Sequence, residues 1–198
     1  IINNQYSGLL SFGFLASIFL MTNGVNAIFG GFEYSYHVTE MRSVFLAYIV
    51  SLGVSLLMSF FLIITVVAII FYQLALIRIG NISWLDTSDL DLFYWGRALL
   101  FLIMIFTIVS LLFRFGTKQG KDVKFFSAGA ILTTLLSLFS FYLFGIYVVK
   151  FATYNELYGS IGTLLILMLF VWLNAIILLL GFELNASIYR LKRRNKTS

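Results

Sequence analysis

Cysteine and proline are both missing from this 198-residue chain, histidine occurs once, and only 11% of the residues are charged. Without cysteine there is neither a disulfide framework nor a thiolate metal site. His37 has no second His or Cys at ligand spacing, and Glu33 and Glu40 beside it do not complete a site, so a catalytic zinc centre is excluded. No glycine-rich phosphate loop of the P-loop or dinucleotide type is present. The expectation is a protein with no catalytic constellation, no metal and no cofactor.

What the chain has instead is apolar surface. At 61% apolar residues and a mean hydropathy of +1.01, it holds too few polar side chains to cover a water-soluble globule. The solvent for most of it must be lipid. The net charge of +5 does not point to nucleic acid, because the basic residues cluster beside apolar spans, where topology and anionic headgroups account for them. The expected fold is an all-α polytopic transmembrane bundle. Its five spans lie at about 8–32, 44–77, 93–113, 125–149 and 161–188, and a basic tail follows over 189–198.

The first span is interrupted by Asn23, Gly24 and Asn26. One helix is expected, with a break near Asn23 as the alternative, and the two asparagines serve either helix packing or the lining of a substrate path. A polar insert over 33–42 reads as a headgroup-level loop. The second span runs 34 residues without charge or proline, so a single helix of about 51 Å must tilt, project into water or break. Ser51, Ser55 and Ser59 share one of its faces, as a packing ridge or as a polar stripe along a cavity. Asp86, Asp89 and Asp91 ahead of Phe93, Tyr94 and Trp95 suit a helix start beside an aromatic belt, with the carboxylates solvated. In the fourth span Gly129, Thr133 and Ser137 form a packing ridge. On the last, Asn174, Gly181 and Asn185 share a face that is either a seam or a cleft wall, and Glu183 is the ionisable residue nearest to membrane depth.

Helices that alternate in direction divide the loops into two sets. One set carries ten Lys and Arg: Arg42, then Arg114, Lys118, Lys121 and Lys124, then five in the tail. The other carries Arg78, Arg97 and Lys150. The positive-inside rule puts the richer set and the C-terminus in the cytoplasm, with the amino end outside. The chain begins at Ile1 rather than Met, so a fragment or processed product is expected. A cytoplasmic start then needs an odd number of further upstream spans, most simply one, for six in total.

The stretch 154–188 resembles the C-terminal signature of the YihY/BrkB family of bacterial inner-membrane proteins. The matching positions are Tyr154, Asn155, Tyr158, Gly159, Ser160, Gly162, Trp172, Leu179, Leu180, Gly181, Glu183, Leu184, Asn185 and Ala186. Thinner collinear similarity covers Tyr36, Val38, Glu40 and Arg42, and Gly129, Ala130 and Leu132; Ala128 stands where the family commonly has proline. The resemblance implies six spans, one of them preceding this chain. It also implies, loosely, a role in lipid export. An old ribonuclease label on the family finds no support here, since one His, no Cys and few cytoplasmic carboxylates cannot assemble a metal-dependent nuclease site.

The expected function is therefore a non-enzymatic protein of the bacterial inner membrane that assists transport or export of a lipid or other amphiphile, or else a membrane scaffold. Glu183, Asn185, Asn174, Ser51, Ser55, Ser59, Asn23 and Asn26 are the candidate substrate-lining residues. Arg114, Lys118, Lys121 and Lys124 are the candidates for gathering anionic headgroups. Expected partners are membrane lipids, with a second copy of the chain or an envelope lipid-transport protein as further ones.

Overall fold

A computed structural model describes residues 6–35, 38, 40–80, 89–118, 120, 124–150 and 155–197. Its elements are α1 (Tyr6–Glu33), α2 (Val44–Gly80), α3 (Asp89–Phe115), α4 (Ala128–Lys150) and α5 (Asn155–Thr197). No strand occurs among the described residues. Each helix contains a stretch long and apolar enough to cross a membrane: Ser11–Glu33, Val44–Ala75, Trp95–Phe115, Ala128–Val149 and Leu164–Lys192. In hydrocarbon a helix meets every backbone hydrogen-bonding need within itself, so uninterrupted apolar runs settle as helices.

Two open choices are resolved by these bounds. α1 passes through Asn23, Gly24 and Asn26 without a break. α2 is one helix of 37 residues, about 56 Å long, and so exceeds a hydrocarbon core of about 30 Å. The Asp86 expectation lies outside the described residues, while Asp89 does open α3.

Each helix packs against the next in the chain, and α1 also meets α5, so the five close into a ring. α3 is the most enclosed, with 33% of its apolar stretch buried against 11% for α5. Burial is confined to one end of the ring. The buried residues fall within 22–32 of α1, 51–55 of α2, 105–113 of α3, 129–140 of α4 and 177–185 of α5. Among the described side chains of 11–21, 56–75, 95–104, 141–149 and 164–176, none is buried. Because the helices alternate in direction, all the buried segments lie at the same end. There Phe32 stacks on Phe182 at 4.5 Å and 7°, and Phe113 meets both rings edge-on at 5.7 and 6.2 Å. In lipid such rings gain little from leaving the solvent, and close packing supplies the attraction.

Candidate functional site

The polar residues of the packed end are built around helix termini. α4 opens after Ser127, whose Oγ accepts from the Ala130 N–H at 3.2 Å, an N-cap that satisfies one of the first-turn donors. A second donor is satisfied from across the ring. Asn185 Oδ1 of α5 accepts from the Gly129 N–H at 2.8 Å, and its Nδ2 donates to Ser127 Oγ at 2.9 Å. Asn185 is buried, so these bonds form where water cannot replace them.

This cap requires the two backbones to approach closely. A Cβ on Gly129 would overlap the Gly181 carbonyl oxygen, and one on Gly181 would overlap Thr133 Oγ1. Thr133 Oγ1 is buried with no hydrogen-bond partner, because it lies directly against the Gly181 backbone. The seam continues as Asn174 Nδ2 donates to Ser140 Oγ at 3.3 Å and to the Phe170 carbonyl at 2.9 Å.

The end of α3 is held by Arg42 from the α1–α2 connection. Its Nη1 donates to the Phe115 carbonyl at 2.6 Å and its Nη2 to the Thr117 carbonyl at 2.8 Å, placing a cation on a helix C-terminus. Burial lowers the Arg42 pKa, and the Glu33 carboxylate works against that shift. The guanidinium stays charged, as its ordinary value lies far above neutrality. Glu33 Oε1 also accepts from the Arg42 backbone N–H at 3.3 Å. Beside it, Ser35 Oγ donates to Glu183 Oε1 at 2.5 Å and so joins the end of α1 to α5. Lys118 pairs with Glu40 at 3.8 Å, an exposed contact worth little.

The residues expected to line one path are divided by this arrangement. Glu183 and Asn185 stand at the packed end, whereas Asn174 belongs to the α4–α5 seam. Ser51 donates to Asn26 Oδ1 at 3.2 Å and to the Ala47 carbonyl at 2.8 Å, and Ser55 Oγ lies 3.1 Å from Thr22 Oγ1. Ser59 donates to Met21 Sδ at 3.2 Å. The serine row is thus covered by α1 and does not face α5. Asn23 points to the exposed side of α1. Arg114, Lys118 and Lys124 are exposed near the packed end; Lys121 and His37 lie outside the described residues. Sequence reasoning missed Ser127, Ser35, Thr22 and the double use of Arg42. Ser127 alone had a usable signal, a serine just before an apolar run.

Among the described residues no group of three or more His, Cys, Asp or Glu could hold a metal ion. What the packed end does chemically is hold helices: it caps α3 and α4 and ties α1 to α5.

No solved structure matches the chain. It is similar to the "Putative ribonuclease-like protein YfkH" of Bacillus subtilis, with 31% identity over 199 residues, 97% of this chain and 70% of that protein. It is also similar to the "UPF0761 membrane protein IL2447" of Idiomarina loihiensis, with 31% identity over 93 residues, 46% of this chain and 33% of that protein. The family profile described as "Virulence factor BrkB" matches residues 1–198. With its five apolar helices and a profile match along the full sequence, the chain belongs to the BrkB family of multi-pass membrane proteins.

Proposed function

We propose that this protein assists the movement of a lipid or other amphiphile across or out of the bacterial cytoplasmic membrane, without catalysing a covalent reaction. One observation supports the reading: the buried side chains of the ring gather at one end, and the described contacts between α1 and α5 lie at that level. The described contacts fall at Gly31 and Phe32 of α1, and at Ser35 just beyond it, against Leu179, Phe182 and Glu183 of α5. Away from that level both helices expose large apolar side chains, among them Phe12, Leu15 and Phe19 of α1 and Leu165, Leu169 and Trp172 of α5. Apolar faces of this kind suit acyl chains, which reach them from the bilayer without crossing water. In this reading the packed end faces the cytoplasm, as the distribution of Lys and Arg favours, and Arg114, Lys118 and Lys124 attract anionic headgroups to it.

The test is reconstitution into vesicles of phosphatidylethanolamine and phosphatidylglycerol carrying a trace of fluorescent phosphatidylethanolamine. Protein-containing vesicles are expected to expose the inner-leaflet label to an external quencher faster than empty ones. Equal rates would remove the transport reading. A second reading, a scaffold that moves nothing, is favoured by the serine row, since Ser51 and Ser55 are consumed by the α1–α2 seam. Equal rates together with specific co-purification of a protein partner would support it.

A further inference from the structure

The ring is not equally strong around its circumference. α1 and α2 are joined by the buried Thr22–Ser55 contact and the Ser51–Asn26 bond. α4 and α5 are joined by the Asn185 cap, the Asn174–Ser140 bond and the close approach of Gly129 to Gly181. α3 is bound on both sides: Arg42 grips its last carbonyls from the α1–α2 connection, and Ser110 donates to the Phe125 carbonyl just before α4 at 3.0 Å. Across the α1–α5 seam, by contrast, the described contacts occupy a single level. They include the parallel Phe32–Phe182 stack, the Ser35–Glu183 bond and Leu179 Cδ2, 3.5 Å from where a Cβ of Gly31 would lie.

We infer that this single level is a gate. The Phe32–Phe182 stack and the Ser35–Glu183 bond separate while α1–α2 and α4–α5 move as intact pairs, and the exposed apolar faces of α1 and α5 then continue through the packed end. The inference rests on the transport reading above and identifies how the path closes. Two of its features follow from the contacts themselves. The two rings are held by side-chain contacts, to each other and edge-on to Phe113, so they part once Phe113 releases one of them, whereas at the Gly129–Gly181 crossing the backbones themselves are in contact. The polar pair at the rim is a hydroxyl and a carboxylate at the membrane border, where water or a headgroup replaces each lost hydrogen bond as it breaks.

The natural chain has no cysteine, so a Gly31→Cys/Leu179→Cys pair introduces the only thiols. In the vesicles described above, oxidation is expected to cross-link this pair and to lower label movement about tenfold or more relative to the same sample after reduction, because the open state is no longer populated. Full cross-linking with an unchanged rate overturns the gate; where the pair does not cross-link, spin-label distances decide. Spin labels at Tyr34→Cys and Leu180→Cys give a readout independent of transport. Two distance populations support the gate even where no vesicle moves lipid, in which case the transport reading alone falls. A single narrow population overturns the gate, whether or not lipid moves.

Discussion

Among the described contacts, α5 meets one neighbour, α4, from Phe170 to Asn185, and the other, α1, at a single level. The α4–α5 seam keeps a constant antiparallel register: Gly129 faces Asn185, Thr133 faces Gly181, Ser140 faces Asn174 and Phe144 stacks on Phe170 at 4.2 Å. Every step along α4 is matched by an equal step back along α5. Among the described contacts the α1–α5 seam has no such series, and at its one level a ring stack stands beside the Ser35–Glu183 bond. The contrast shows what fastens helices in lipid. Small residues let backbones approach, and side-chain amides and hydroxyls bond across them; a bulky ring contact closes a level without extending it.

Substitutions separate the two kinds of seam. The largest effect is expected for Gly181→Leu, which forces atoms into the Gly129 backbone and Thr133; overpacking of this kind costs about 3 kcal/mol, read as a lower thermal midpoint in detergent. A midpoint like the parent's would show that the crossing is not tight. Asn185→Ala comes next. It strips a buried N–H of its acceptor and Ser127 of a donor, a loss of about 1–2 kcal/mol in the same assay. Arg42→Lys tests the clamp on α3, because an ammonium cannot fork onto the Phe115 and Thr117 carbonyls as a guanidinium does. A cost of about 1 kcal/mol is expected, with amide exchange rising first in the last turn of α3. Leu169→Ala, on the exposed part of α5, should change stability by less than about 0.5 kcal/mol; a large drop would mean that this face is covered.

Much of this fold was legible in the residues. Long uncharged runs mark membrane helices without any knowledge of neighbours, and the four-residue repeat put Ser51, Ser55 and Ser59 on one face, as packing ridge or cavity stripe, and Gly129, Thr133 and Ser137 on a packing ridge. Their partners were not. A ridge of small residues on one helix is chemically the same as a ridge on another, so nothing in the repeat says that the serines meet Thr22 and Asn26 rather than α5. Asn185 illustrates the same limit: its amide was visible as a bonding group, but its acceptor role at the start of α4 depends on a register no local pattern encodes. Arg42 was harder still, since its partners are main-chain carbonyls 73 and 75 residues away that any sequence would supply.

By itself, then, the sequence determined that the chain is helical and that it holds five runs long and apolar enough to cross a membrane, because hydrocarbon imposes those outcomes on each segment separately. Only the tertiary structure decided which polar residues are helix fastenings and where the ring is thinly joined. Those properties belong to pairs of surfaces, and a pair exists only once distant segments have met.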